Sequence, residues 1–285
     1  MKKTVEQVIF EEKRLIPDVN IFISDGCNLN CESCMNFSPL AKQGFLDVDT
    51  FEKDIKQFAK IAGEKVARID LMGGEPLLHP DLCKIMRIVR SYFPTTNIAI
   101  ETNGILLFSQ SEEFWKTCSE TGIIVRVSRY PRVNSVTKLR KLAKEKNAIF
   151  RMCDGADEWM QKNGKVAVIE TNGGALDWKT FPLDKTGSQN REYNYQNCEQ
   201  HCCCALSEGK FFPCTKIPNI KHFNKYFGEN FEVSKNDYVD IYKAENADDI
   251  LRFMDFPVDF CRYCNVKNEK DLKWARTSYK KEEWL

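Results

Sequence analysis

Cys27, Cys31 and Cys34 stand in the string Cys27-Asn28-Leu29-Asn30-Cys31-Glu32-Ser33-Cys34, directly after the apolar run Ile21-Phe22-Ile23. Three thiolates on one short loop can hold three irons of a 4Fe-4S cube and leave the fourth iron open to another ligand. A zinc ion normally takes four ligands, and no fourth lies nearby in the sequence. A second cysteine-dense stretch follows in the last third of the chain, with Cys198, Cys202, Cys203, Cys204, Cys214, Cys261 and Cys264. The total of 13 cysteines in 285 residues is odd, so they cannot all pair. The amino terminus runs into charge without an apolar segment, which is expected of a cytoplasmic chain. There, clustered cysteines read as metal ligands rather than disulfides.

These thiols need a scaffold to bring them together. β-rich apolar runs at 19–24, 66–72, 97–101, 123–128, 148–152 and 166–170 predict six strands. Between them, Val48, Phe51, Ile55, Phe58 and Ala62 share one helical face, with Asp49 or Thr50 placed to cap it. Leu82, Ile85, Met86 and Val89 repeat the pattern, as do Val136, Leu139, Leu142 and Ala143. The alternation predicts an α/β chain built as a partial (β/α)6 barrel. From about residue 171 to 197 the sequence is rich in Gly, Asn, Lys and Tyr and reads as an irregular connection. Beyond it, residues 205–212 read as a hairpin turning at Glu208-Gly209. The expected organisation is an extension at 1–18, a barrel at 19–196 and a small cysteine-rich α+β unit at 197–285. Cys83, on the apolar face of its helix, and Cys118 read as buried apolar residues rather than ligands.

Lys plus Arg (42) nearly balance Asp plus Glu (41), and no run is long enough to span a membrane. The balance gives no electrostatic reason to expect nucleic acid or a membrane surface as partner; a small-molecule substrate is expected. In a barrel of this kind, active-site residues gather at the C-terminal ends of the strands. Gly73-Gly74-Glu75-Pro76, Thr102-Asn103-Gly104 and Ser128-Arg129 all fall there. The glycines allow close backbone approach, and Glu75 with nearby carbonyls could bind an ammonium group.

Cys-x3-Cys-x2-Cys followed some 40 residues later by Gly-Gly-Glu-Pro resembles the radical S-adenosylmethionine (radical SAM) superfamily. The resemblance runs from about residue 19 to 150 and includes Glu101-Thr102-Asn103-Gly104. It implies that Cys27, Cys31 and Cys34 hold a 4Fe-4S cluster whose free iron binds the amino and carboxylate groups of SAM. Reductive cleavage of SAM then yields a 5′-deoxyadenosyl radical. It further implies cofactor contacts from Gly73, Gly74, Glu75 and Pro76, and from Thr102, Asn103, Ser128 and Arg129. One departure is Ser33, which stands where the family usually has an aromatic residue; Phe37 or another apolar side chain is expected to share the adenine packing instead. The later cysteines are similar to the auxiliary-cluster region called SPASM or, in its single-cluster form, Twitch. By that likeness Cys198, Cys214, Cys261 and Cys264 carry a second 4Fe-4S cluster, with Cys204 in reserve. The tail at 274–285 is expected to fold over this unit.

The resemblance implies an oxidoreductase that dehydrogenates a sugar- or cyclitol-like substrate, with a flavodoxin or ferredoxin as electron donor. Epimerisation is the alternative, with Cys204 as the leading hydrogen donor and Cys202, Cys203 and Cys153 behind it. A peptide substrate is a third option, against which stand only about 18 residues before the first strand. An electron carrier without SAM chemistry is the non-enzymatic reading. Arg129, Arg151, Asp154, Asp184 and Lys185 are polar candidates for substrate contact, and Tyr193, Tyr195 and Phe211 are candidates for a pocket lining.

Overall fold

The computed structural model describes residues 3–128, 130, 133, 135–153, 167–171 and 177–285, with residues 151–153, 167–171 and 177–178 as backbone alone. The chain opens with helix α1 (Val5–Lys13), whose Thr4 and Gln7 form a reciprocal capping box. Strands β1 (Asp18–Ser24), β2 (Arg68–Gly73), β3 (Asn97–Thr102) and β4 (Ile124–Ser128) then alternate with α2 (Val48–Ala62), α3 (Leu82–Tyr92) and α4 (Glu112–Thr121). Helix α5 (Val136–Glu145) leads to β5 (Ile149–Cys153) and β6 (Ala167–Thr171). The remainder holds β7 (Asp177–Thr180), α6 (Arg191–Asn197), β8 (Cys203–Ser207), β9 (Lys210–Phe212), α7 (Lys216–Phe227), β10 (Val239–Asp240), α8 (Ala247–Met254) and β11 (Lys270–Lys273).

The six predicted strands are present and mutually parallel, within a sheet of order β10-β9-β8-β1-β2-β3-β4-β6-β5. The order departs from simple succession, because β6 lies between β4 and β5 and is hydrogen-bonded on both sides. Strand β8 joins β1 in parallel on the opposite flank, with Cys203 paired to Asp18 and Cys204 to Val19. The Glu208-Gly209 hairpin therefore continues the barrel sheet across the boundary expected at residue 197. Both turn residues have positive φ (52° and 70°), which suits the right-handed twist of a two-residue hairpin.

Helix α2 buries Val48, Phe51, Ile55, Phe58, Ile61 and Ala62 against the sheet, each large side chain contributing roughly 1.5–3 kcal/mol. Its cap is Asp47, not Asp49 or Thr50. The helix begins at Val48, so the residue before it is the one that accepts the Thr50 N–H, at 2.9 Å. Cys118 is fully buried in this core and Cys83 packs against it. A second core, under the C-terminal segment, gathers Phe37, Phe223, Phe231, Phe260 and Trp284. The connection expected to be irregular is partly ordered: β7 pairs antiparallel with β11, and Asn190 caps α6. The strand pairing is not visible locally, since β11 lies some 90 residues downstream.

Candidate active site

Strand β1 ends at Ser24 and delivers the cysteine loop above the end of β2. Cys27, Cys31 and Cys34 line one cavity of about 270 Å³, together with Gly73, Gly74, Thr102, Asn103 and Ser128. The two glycines are required by loop contact. A Cβ on Gly73 would lie 2.2 Å from the Ser24 carbonyl oxygen, and one on Gly74 would lie 2.1 Å from that of Gly26. The gap is closed by Gly74 N–H to Ser24 O at 2.9 Å and Glu75 N–H to Gly26 O at 3.0 Å.

Glu75 and Pro76 stand behind this wall, which corrects the expectation that the Glu75 side chain meets an ammonium. Its carboxylate is fully buried and accepts from Thr102 Oγ1 (2.6 Å), Asn103 N–H (2.9 Å) and Leu77 N–H (3.0 Å). It ties the end of β3 to the end of β2. Asn103 in turn donates to Asn28 Oδ1 at 2.7 Å and to Cys27 Sγ at 3.6 Å, so it positions the cysteine loop. Arg129 and Asp154 lie outside the described residues, as does the side chain of Arg151. Asp184 and Lys185 hold a surface turn, the first accepting from Thr186 and the second paired with Glu229.

Burial pushes the Glu75 carboxyl from 4.5 up to about 7, against those three hydrogen bonds. The folded chain then binds this proton more tightly than the unfolded one, so stability falls as pH rises from about 4.5 to about 7. Burial shifts Asp18 and Glu101 in the same direction. Urea denaturation of the metal-free protein at about pH 5 and pH 7.5 should give the lower midpoint at pH 7.5, with a smaller difference in Glu75→Gln. An equal or higher midpoint at pH 7.5 would contradict this.

Burial also raises the three thiols, Cys27 to about 11 and Cys31 to about 12, with Cys34 raised as well. Thiolates in such surroundings need a compensating cation, which an iron-sulfur cluster supplies. Among the described residues, no three His, Cys, Asp or Glu side chains are placed to hold a single metal ion. Three thiols on one loop supply three of the four iron ligands of a 4Fe-4S cluster. The carboxy-terminal tail clamps the same loop. Trp274 Nε1 donates to Cys31 Sγ at 3.1 Å, Trp284 Nε1 to Cys34 O at 3.0 Å and Ser33 Oγ to Glu283 O at 2.6 Å. Trp284 also packs in the second core, so the tail bridges the two units rather than covering one. Ser33 is explained by this contact. Phe37 is fully buried against Phe223 and Trp284, away from the cavity, and so corrects the expected adenine packing.

The barrel interior below the cysteines is charged. Arg68 bridges Asp18 (2.7 Å) and Asp70 (2.9 Å), and Arg126 bridges Asp70 (3.5 Å) and Glu101 (2.5 Å). All five residues line the cavity. The sequence reading passed over them, although the period-two alternation of Asp18 with Asn20, Arg68 with Asp70, and Arg126 with Ser128 within apolar strands marks an inward polar face.

Cys198, Cys214, Cys261 and Cys264 converge on a second, apolar cavity with Phe181 and Ile217. All four thiols are raised by burial, Cys261 to about 12. Cys202, Cys203 and Cys204 do not line it. Cys204, expected as reserve ligand and hydrogen donor, is fully buried in the first core, with its Sγ 3.9 Å from Met254 Sδ. Pairing with Val19 turns it to the helix-covered face of the sheet, whereas Cys203 shares the inner face with Asp18. Tyr195 lines the second cavity and donates to Met254 O, while Phe211 stacks on Phe58 in the core.

Parallel strands delivering a three-thiol loop, a Gly-Gly wall and polar strand ends to one mouth define an α/β barrel with a cofactor site at its C-terminal rim. Residues 21–130 match the family model described as the Radical SAM superfamily, and the chain carries a radical SAM domain there. It is 32% identical over 111 residues to a GTP 3′,8-cyclase of Chlorobaculum tepidum, covering 38% of this chain and 33% of that protein. It is 36% identical over 109 residues to a GTP 3′,8-cyclase of Aquifex aeolicus, covering 37% and 32%. The match thus spans about a third of these curated relatives. A crystal structure of BtrN in complex with AdoMet and 2-DOIA is similar in fold, with a TM-score of 0.51 and 17% identity over 87% of this chain and 92% of that one. No helix among the described residues is long and apolar enough to cross a membrane.

Proposed function

We propose that the chain is a radical SAM enzyme that takes a hydrogen atom from a small sugar- or cyclitol-like substrate and completes a dehydrogenation through an auxiliary 4Fe-4S cluster. The observation that carries this reading is the pair of cavities, one lined by Cys27, Cys31 and Cys34 with the Gly73-Gly74 backbone, the other by Cys198, Cys214, Cys261 and Cys264. With SAM bound, the reduced first cluster supplies a 5′-deoxyadenosyl radical. The protein's part is to hold and orient. Gly73 and Gly74 present bare backbone to the methionyl amine, Ser128 offers a polar contact, and Asn103 fixes the loop through Asn28 and Cys27. A second cluster held by Cys198, Cys214, Cys261 and Cys264 would supply the acceptor for the second electron of a two-electron oxidation, the hydrogen atom passing to the adenosyl carbon and the proton to solvent. A flavodoxin or ferredoxin would return electrons to the first. The identity to GTP 3′,8-cyclases covers 38% and 37% of this chain and carries no substrate with it.

Epimerisation is the second reading, favoured by Cys203 on the inner face of the sheet beside Asp18. Anaerobic reconstitution, dithionite reduction and SAM addition should give 5′-deoxyadenosine by mass spectrometry from the wild type and none from a Cys27→Ala, Cys31→Ala, Cys34→Ala variant. SAM left intact beside a full, reducible cluster would overturn the enzymatic reading. Once substrate is found, loss of two hydrogens marks oxidation, and gain of one solvent deuteron marks epimerisation.

A further inference from the structure

Lys216 is the first residue of α7, two positions after Cys214, and is only 4% exposed. A lysine is almost never buried so completely without an anion beside it. No carboxylate among the described residues lies within 4.0 Å of its ammonium. Its Nζ lies instead 3.6 Å from the centre of the Phe181 ring, and Phe181 lines the four-cysteine cavity together with Ile217, the next residue of the helix. The backbone N–H groups of Lys216 and Ile217 donate to Cys214, so the positive end of α7 meets the same cavity. Cys198, Cys214 and Cys264 all feel the ammonium, which opposes the burial that raises their thiols, while Asp237 acts the other way on Cys261. The first loop is set up differently. The groups that lower its thiols are hydrogen-bond donors, among them Trp274 and the backbone N–H of Leu29 and Ser38, and the charge beside Cys27 is that of Glu75, which raises it. Arg68 and Arg126 line that cavity but are bridged to Asp18, Asp70 and Glu101. A cluster that gains an electron gains a negative charge, so a fixed cation beside it favours the reduced form and raises its potential.

We propose that Lys216 is a positioning residue for electron transfer: its buried ammonium holds the second cluster at a higher reduction potential than the first, so that the second site is built to accept an electron. The inference rests on the proposed function and deepens it, because an acceptor at the second site commits the chain to dehydrogenation rather than epimerisation. The balance is that of a two-electron oxidation. A C–H bond breaks and its hydrogen atom passes to the adenosyl carbon; the remaining radical gives a proton to solvent and one electron to the oxidised second cluster, leaving a carbon–oxygen double bond. In epimerisation the same radical takes a hydrogen atom back, and the second cluster keeps its oxidation state. Lys216 acts by charge, so losing the ammonium costs the reduced state more than the oxidised one.

The test is an anaerobic redox titration of the reconstituted protein, followed by electron paramagnetic resonance. A Cys27→Ala, Cys31→Ala, Cys34→Ala background isolates the second cluster, and Cys264→Ala isolates the first. The second midpoint should lie above the first. Lys216→Met should lower the second midpoint by about 59 mV or more, a tenfold change in a one-electron equilibrium, and leave the first where it was; Lys216→Arg should restore it. Lys216→Gln takes the place of Lys216→Met if the latter loses second-site iron. Loss of that iron in both neutral variants but not in Lys216→Arg supports the same role for the charge, whereas loss in all three assigns Lys216 to packing and overturns it. A second midpoint below the first, or one that neither neutral variant moves, also overturns it. Iron of about four per chain in the wild type would remove the second cluster altogether, so a failure of the proposed function is told apart from a failure of Lys216.

Discussion

Removal of residues 274–285 is expected to strip the first cluster. The tail makes five hydrogen bonds to the cysteine loop. Besides those from Trp274, Trp284 and Ser33, Glu32 N–H donates to Ala275 O at 2.9 Å and Thr277 N–H to Asn30 O at 3.0 Å. Asn30 and Ser33 adopt left-handed backbone angles (φ 56° and 51°). Such a conformation costs roughly 1–2 kcal/mol per non-glycine residue, and two of the tail's bonds fall on these two residues. At about 1 kcal/mol each, five bonds outweigh that cost; without them, Asn103 still holds the Cys27 end of the loop, but the Cys31 and Cys34 end loses these ties. Iron in the reconstituted truncation should fall from about eight by about four or more per chain, with no 5′-deoxyadenosine formed. Trp274→Phe is the finer probe. It removes only the N–H to Cys31 Sγ, so the cluster should still assemble but titrate at a lower reduction potential, since hydrogen bonds to cluster sulfur favour the reduced form. A truncation that retains full iron and cleaves SAM would show the tail to be dispensable.

Cys264→Ala should likewise lower iron from about eight to about four per chain, this time from the second site. Cys198, Cys214, Cys261 and Cys264 come from the end of α6, the start of α7 and the 3-10 turn after α8, and they meet in one apolar cavity. A thiolate there is unfavourable without metal, and three remaining ligands leave one corner of a four-ligand site open. The variant should still produce 5′-deoxyadenosine from SAM but should fail to release an oxidised product. Cys204→Ala is the contrast. Its Sγ lies beside Met254 in the first core, so iron should be unchanged and the cost should be roughly 1 kcal/mol of stability from lost packing. Electron paramagnetic resonance of the reduced proteins would separate the two signals. Full iron in Cys264→Ala, or iron loss in Cys204→Ala, would reverse the ligand assignment.

Local chemistry explains why much was legible in the sequence. The three-thiol loop, the Gly-Gly wall and the six strands are written in runs of fewer than ten residues each. Their spacing and alternation carry the information, because a period of two or 3.6 follows directly from backbone geometry. The four cysteines of the second cavity were assigned by likeness to the auxiliary-cluster region rather than by periodicity, and they line one cavity although the first and last stand 66 positions apart.

Tertiary structure alone decided the rest. Whether Cys203 or Cys204 faces the barrel interior depends on a one-residue register against β1, and a shift of one residue exchanges the two faces. Glu75 turned inward because Thr102 and Asn103, brought close only by the pairing of β2 with β3, supply the donors its buried carboxylate needs. The tail's grip on the cysteine loop joins residues some 240 positions apart. No local pattern encodes such a contact, because its free energy comes from groups that meet only once the chain has folded.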